Sequence, residues 1–154
     1  MTTSDITIVI NTFNSEEQIF KCLDSIDSKI KIIIIENSSN YQFKKDIEQK
    51  YPNATCELSN NNLGYAKGNN LGLSKVKSKF ALILNPDTTL DKNAINNFLL
   101  SANKQKKFAI IAPAIQEEKD KVNNVHRNSS DLIEVENVKG FAMFVNMTEF
   151  EEVG

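Results

Sequence analysis

The chain is poor in the residues that usually announce a site. It has two cysteines, one histidine and one arginine among 154 residues. Cys22 and Cys56 have 33 residues between them and no histidine nearby. That spacing suggests neither a disulfide framework nor a zinc site, and buried thiols in a reducing compartment are expected. No apolar run approaches the roughly 18 residues of a membrane span, and the N-terminal stretch MTTSDITIVI carries an acid with no basic segment, so no secretory signal is read and a cytoplasmic location is expected. A net charge of −2 offers no general attraction to nucleic acid. The lysine pairs 44–45 and 106–107 fall on otherwise polar helical stretches and read as solvated surface. Several Asn-x-Ser/Thr triplets, such as Asn53 to Thr55, are set aside as glycosylation sites, because 20 asparagines generate them by chance.

What is present is an alternation. Ile6 to Ile10 and Ile30 to Ile35 are β-branched runs with no wet face, as buried strands of a parallel sheet should be. Thr55 to Leu58, Phe80 to Leu84 and Phe108 to Ala112 read as further strands. Between them lie helical patterns. Ser15 and Gln18 make a capping box before Ile19, Leu23 and Ile26, while Phe43, Ile47 and Tyr51 form an apolar stripe. A third helix is expected over 64–76, and Asp91 is placed to cap a fourth whose apolar face is Ile95, Phe98, Leu99 and Ala102. The fold class is therefore α/β, with a mostly parallel sheet flanked by helices, in a single domain spanning 1–154. Residues 1–113 form its core, and 114–139, which hold His126 and Arg127, read as an irregular loop. Residues 140–154 read as a return strand and the start of a helix, with Thr148 and Glu151 as a second capping box. A chain that stops while beginning an element is expected to be part of a longer one.

In an open α/β sheet, ligands bind beyond the carboxyl ends of the strands. Here those ends carry Asn11 to Asn14, Glu36 to Ser39, Asn60 to Gly64, and Asn85 with Asp87, mostly short polar side chains and acids. The stretch NNLGYAKGNNLGL places Gly64, Gly68 and Gly72 on one helical face. It matches neither a dinucleotide fingerprint nor a phosphate loop, which leaves close packing of the helix on the sheet, or near Gly64 a bare backbone that a nucleotide can approach. LNPDT, residues 84–88, is by itself a turn, or a turn that presents Asp87 to a metal ion.

Taken in order, ITIVINTFNSEEQIFKCLDSI, IIIIENSS, NNLGYAKGNNLGL and LILNPDTTL resemble blocks of glycosyltransferase family 2, the inverting nucleotide-sugar enzymes of GT-A fold with a Rossmann-like sheet, and in particular its rhamnosyltransferase-like members. VKGFAMFVNMTEFEEVG is similar to the strand and helix start that precede the family's catalytic region. The resemblance implies a nucleotide-diphospho-sugar donor, dTDP- or UDP-linked, contacted by Thr12, Phe13, Asn14, Glu36, Asn37, Ser38, Asn62, Gly64, Asn69, Asn85 and Asp87. Glu36 would accept from the N–H of a uracil or thymine, Phe13 would face the base, and Gly140 and Phe141 would border the donor sugar, although Phe141 reads first as part of a plain core strand. Asp87 would hold Mg²⁺ or Mn²⁺ at the diphosphate, since such a cation needs only one or two protein carboxylates. Glu36 replaces the family's usual aspartate, and Lys67 stands where the subgroup commonly has a small residue.

The implied activity is inverting transfer of a sugar, rhamnose from dTDP-rhamnose being the subgroup's typical case, to a saccharide or lipid-linked acceptor in cell-surface polysaccharide synthesis. A missing C-terminal part would bring peripheral association with the inner face of the membrane. Inversion needs a general base for the acceptor hydroxyl, and the resemblance puts that residue in an acidic motif beyond Gly154. His126 has no identifiable partner and is not assigned the role. The alternative is a non-catalytic nucleotide-sugar-binding fragment. A nucleotidyltransferase is disfavoured, because INTFNSEEQ is neither glycine-rich nor basic.

Overall fold

The buried β-branched runs do become the centre of a sheet. In the computed structural model, which describes residues 1–105, 107–114 and 132–153, six strands stand in the order β3-β2-β1-β4-β6-β5. They are β1 (Ile6–Thr12), β2 (Lys31–Glu36), β3 (Ala54–Leu58), β4 (Phe80–Leu84), β5 (Ile110–Ile111) and β6 (Ala142–Asn146). β1 pairs in parallel with β2 and β4, and β2 with β3, whereas β6 runs antiparallel to both β4 and β5. The helices are α1 (Ile19–Asp24), α2 (Tyr41–Lys50), α3 (Gly64–Leu73), α4 (Ala94–Lys104) and α5 (Met147–Val153).

Strand alternation divides the core in two. Ile6, Ile8 and Ile10 of β1 face a large cluster completed by Ile19, Cys22 and Leu23 of α1, Phe43 and Ile47 of α2, and Phe98, Leu99 and Ala102 of α4. Val9 faces the other way, into a smaller cluster with Leu73 of α3, Ala81, Ile83, Val145 and Met147. Four phenylalanines seat the antiparallel end of the sheet. The Phe144 ring centroid lies 4.9 Å from that of Phe80, 5.2 Å from Phe98 and 6.1 Å from Phe108. Such offset contacts add about 1 kcal/mol each to the burial of the rings.

The glycine spacing has a metrical explanation. A helix rises about 6 Å over four residues and a strand about 6.6 Å over two, so glycines four apart can ride on alternate residues of one strand. A Cβ on Gly72 would lie 2.4 Å from Val9 Cγ1, and one on Gly68 would lie 2.4 Å from Asn11 Oδ1. Gly64 differs, with φ +71° and open space around it. It is needed for backbone conformation, and its two neighbours in the pattern are needed for close approach.

Several boundaries differ from the sequence expectation. Ser15 does not cap α1: its Oγ exchanges hydrogen bonds with the Phe13 backbone at 3.2 and 3.4 Å, in a turn bent by Asn14 at φ +51°. The regular helix therefore starts only at Ile19. Asp91 closes the turn before α4, its Oδ1 accepting from Asn93 N at 2.9 Å, so Asn93 takes the cap position. α2 is capped instead by Asn40, whose side chain accepts from Phe43 N at 3.0 Å. α5 begins at Met147, whose N–H donates to Lys79 O at 3.1 Å, which leaves Thr148 inside the first turn rather than at a cap. The strand expected over 108–112 pairs only at Ile110 and Ile111.

The glycine contact can be tested by thermal unfolding. Gly72→Ala should cost about 2 kcal/mol through overpacking, lowering Tm by roughly 4–8 °C. Adding Val9→Ala should recover part of that loss, so that the double variant is more stable than the sum of the single effects.

Candidate functional site

Because β1 to β4 are parallel, their carboxyl ends share one edge, and the antiparallel β6 brings its amino end there too. The strand order reverses between β1 and β4: successive strands grow outward from β1 to β3, and β4 then returns to the other side of β1. A crevice at such a reversal is where open α/β sheets take ligands. Asn11 to Asn14 and Asn85 to Asp87 flank this one.

Side-chain amides build the floor. Asn37, 4% exposed, donates from Nδ2 to Asn11 Oδ1, and its own Oδ1 accepts from Ser59 Oγ at 3.0 Å and Leu63 N at 3.2 Å. Asn11 in turn donates from Nδ2 to the carbonyls of Gly64 and Tyr65 at 3.0 and 3.2 Å. Three strand ends and the start of α3 are thereby joined through two side chains. Asn62 finishes the loop by accepting from Gly64 N at 2.9 Å. Thr12 is buried and donates to Ile35 O at 3.3 Å. Phe13 and Asn14 are exposed just beyond it, with half of Phe13 open to solvent.

Glu36 has a different surrounding from the one expected of a base-binding acid. It is 1% exposed, and its carboxylate accepts from Ser38 N at 2.8 Å, Ser38 Oγ at 2.5 Å and Asn40 N at 2.8 Å. Three donors from its own turn surround it, so in this conformation it holds the loop after β2, in which Ser39 sits at φ +60°. The extra methylene relative to aspartate lets the carboxylate reach Asn40, four residues on. Asn69 is buried on α3, and its side-chain N and O make no hydrogen bond among the described residues.

The NPD turn is held from three sides. Asn85 N donates to Phe141 O at 2.9 Å, Thr88 N donates to Asn85 O at 3.1 Å, and the Cys22 thiol reaches the same carbonyl at 3.7 Å. Ser25, the residue that caps the end of α1, donates to Cys22 O at 2.6 Å and accepts from Leu90 N at 2.9 Å, tying the far end of the turn to α1. Burial, and secondarily the charge of Asp87, push the Cys22 thiol up to about 12, so at neutral pH it is a protonated donor. Tyr65 Oη donates to Gly140 O, joining α3 to the segment that enters β6.

Asp87 itself is exposed. The described residues contain no group of three or more His, Cys, Asp or Glu side chains that could enclose a metal. A single exposed carboxylate fits a small hard cation whose shell is completed by phosphate and water, and does not fit an all-protein metal cage. His126 and Arg127 lie outside the described residues. Asn11 was placed at the strand ends but not among the donor contacts, and Cys22, Ser25 and Tyr65 were absent from the sequence-derived site. For Asn11 a signal existed, a polar residue continuing a run of buried aliphatic ones. The other three act through neighbours distant in sequence.

The matching family model decides what kind of protein this is. The model for glycosyl transferase family 2 matches residues 7–150. The chain belongs to glycosyltransferase family 2. A low-salt glycan biosynthesis hexosyltransferase of Haloferax volcanii is 28% identical over 115 residues, 72% of this chain and 36% of that protein. A teichoic acid poly(glycerol phosphate) polymerase of Staphylococcus epidermidis is 28% identical over 102 residues, 61% of this chain and 14% of its own length. Among solved structures, S. aureus TarS in complex with UDP superimposes with a TM-score of 0.75 at 14% identity, over 96% of this chain and 48% of that one. A Pyrobaculum calidifontis mannosyltransferase in complex with GDP-Man and Mn²⁺ gives 0.76 at 12% identity, over 97% and 46%. These neighbours show the GT-A fold, and the chain spans about half of their length and a smaller share of the curated relatives.

The role of Glu36 in its turn predicts a stability effect. Glu36→Ala leaves the half-buried donors of Ser38 and Asn40 without their acceptor and should cost about 2 kcal/mol. Chemical unfolding should show that loss, whereas an acid that served only a ligand would leave stability near wild type.

Proposed function

We propose that this family 2 chain binds a nucleotide-diphospho-sugar in the crevice at the carboxyl ends of β1 to β4, as the donor-binding part of an inverting glycosyltransferase. The observation that carries the proposal is the convergence of Asn11 to Asn14, the Glu36 turn, Gly64 and the NPD turn on one edge at the reversal of strand order. Solved structures of the same fold were obtained with UDP and with GDP-Man and Mn²⁺.

In this assignment Phe13 offers an exposed aromatic face to the base, and Thr12, Asn14, Asn37 and Ser38 shape the nucleoside end. Glu36 acts there by fixing the turn that displays Asn37 and Ser38. Asn62 and Gly64 present backbone close to the nucleotide, with no side chain at Gly64 to obstruct it. Asn69 is assigned to a donor hydroxyl that reaches its buried amide on α3, and Asn85 to the donor sugar. Asp87 would hold Mg²⁺ or Mn²⁺. When bound, that cation offsets charge on the departing diphosphate.

Transfer then breaks the bond between the anomeric carbon and the phosphate oxygen, leaving the electron pair on the nucleoside diphosphate. The acceptor hydroxyl oxygen bonds the same carbon from the opposite face and gives up its proton. No residue among those described is assigned as the base for that proton. We assign dTDP-rhamnose as the donor to test first, with UDP-sugars as its competitors. The acceptor class is a saccharide or lipid-linked glycan of the cell surface, reached at the cytoplasmic face of the membrane.

Calorimetric titration with UDP and dTDP, with and without Mn²⁺, tests the donor site. Binding should require the metal, and Asp87→Ala should weaken metal-dependent binding at least tenfold, about 1.4 kcal/mol. Equal binding without metal, or unchanged binding in Asp87→Ala, overturns the assignment of Asp87. Metal-dependent binding without any sugar transfer by this chain would favour a donor-binding module over a complete enzyme.

A further inference from the structure

The sheet has two edges, and they are treated differently. β5 ends one side with only two paired residues, Ile110 and Ile111. β3 ends the other with five residues, Ala54 to Leu58, long enough to template another strand. Along β3, the bonds from Ile32 N to Asn53 O at 2.9 Å and from Ser59 N to Glu36 O at 3.0 Å show that odd-numbered positions face β2. The N–H and C=O groups of Ala54, Cys56 and Leu58 therefore point outward.

At the middle of that row, both outward groups are taken by side chains of α2. Glu48 Oε1 accepts from Cys56 N at 2.9 Å, Lys44 Nζ donates to Cys56 O, and the two side chains are 2.8 Å apart in an i,i+4 ion pair. Each is only 34% exposed. Lys44 is thus no ordinary solvated lysine. Ala54 N is satisfied by Tyr51 O at 2.9 Å. An open depression of roughly 350 Å³ runs beside these groups, lined by Tyr41, Lys44, Cys56 and Leu58 among others, so among the described residues no further strand or helix is packed along the edge.

We propose that the Lys44–Glu48 pair closes the free edge of β3 against pairing with β3 of a second copy of this chain. A second copy is the occupant whose register fits. In an antiparallel pair related by a two-fold axis, Cys56 would face Cys56 and exchange both hydrogen bonds, and Ala54 would face Leu58. Cys56 would then exchange both bonds with its counterpart and Leu58 N would donate to Ala54 O of the other copy, the Ala54 N–H staying with Tyr51 O, and Ala54, Cys56 and Leu58 would continue one face of the joined sheet. Glu48 and Lys44 occupy the two groups on which that exchange centres. The inference is independent of the nucleotide site, which lies at the strand ends.

Sedimentation velocity across a wide concentration range tests it, comparing wild type with Lys44→Ala/Glu48→Ala. Alanine favours helix, so α2 should persist, as circular dichroism would verify. The wild type should remain a monomer, and the double variant should approach a doubled molar mass as concentration rises. Adding Leu58→Pro, which removes an outward N–H without touching the β2 ladder, should restore the monomer. If the double variant does not fold, Glu48→Ala, which frees only the Cys56 N–H, should show the same association in weaker form. A folded variant that stays monomeric at every concentration overturns the proposal, as does association that persists with Leu58→Pro.

Discussion

The carboxyl edge of the sheet depends on the side chain of Asn11. Its carbonyl oxygen accepts from Asn37, its amide nitrogen holds the first two carbonyls of α3, and Gly68 leaves the space it occupies. Amides suit this position because each offers donors and acceptors together, so β1, β2, the β3 loop and α3 can be joined without burying a charge. An aliphatic residue there would remove these bonds and leave the buried Asn37 amide without its acceptor, at a cost of about 1–3 kcal/mol. The bare face of α3 and the polar floor beneath it are therefore one feature.

On the other side of the crevice, the NPD turn gains its position from α1 and β6. Cys22 and Ser25 reach it from α1 and its C-terminal cap, and Phe141 reaches it as the residue that leads into β6. A buried thiol and a single hydroxyl are modest groups, yet they tie down a turn whose one acid points into solvent. That combination, a fixed backbone with an exposed carboxylate, suits the capture of a cation that brings most of its own ligands. An acid of the opposite kind sits across the sheet: Glu36 is buried and committed to its own loop.

The central strands were legible in the sequence because burial on both faces demands uninterrupted β-branched runs, as in IIIIE. The alternation with helices then implied the parallel order. What escaped were features set by distant partners. The antiparallel direction of β6 has no local signature. The starts of α1 and α4 were misread because Ser15 and Asp91 serve turns rather than helix N-termini, and turn and cap chemistry use the same residues. Glu36 was read from its position at a strand end, whereas its surroundings are set by three donors two to four residues later, which only the folded turn brings together. The same limit applied to Lys44, whose solvated appearance in sequence hides the strand edge that α2 places beside it.

The central claim is that the polar strand ends form a metal-dependent nucleotide site. Paramagnetic broadening in amide NMR spectra, recorded with UDP and substoichiometric Mn²⁺, measures this most directly, since the ion broadens only signals near it. Resonances of Thr12 to Asn14 and Asn85 to Thr88 should broaden and then recover on chelation, while those of β5 and α5 stay sharp. Broadening centred on the depression beside β3, or none at the strand ends with nucleotide bound, would contradict the account.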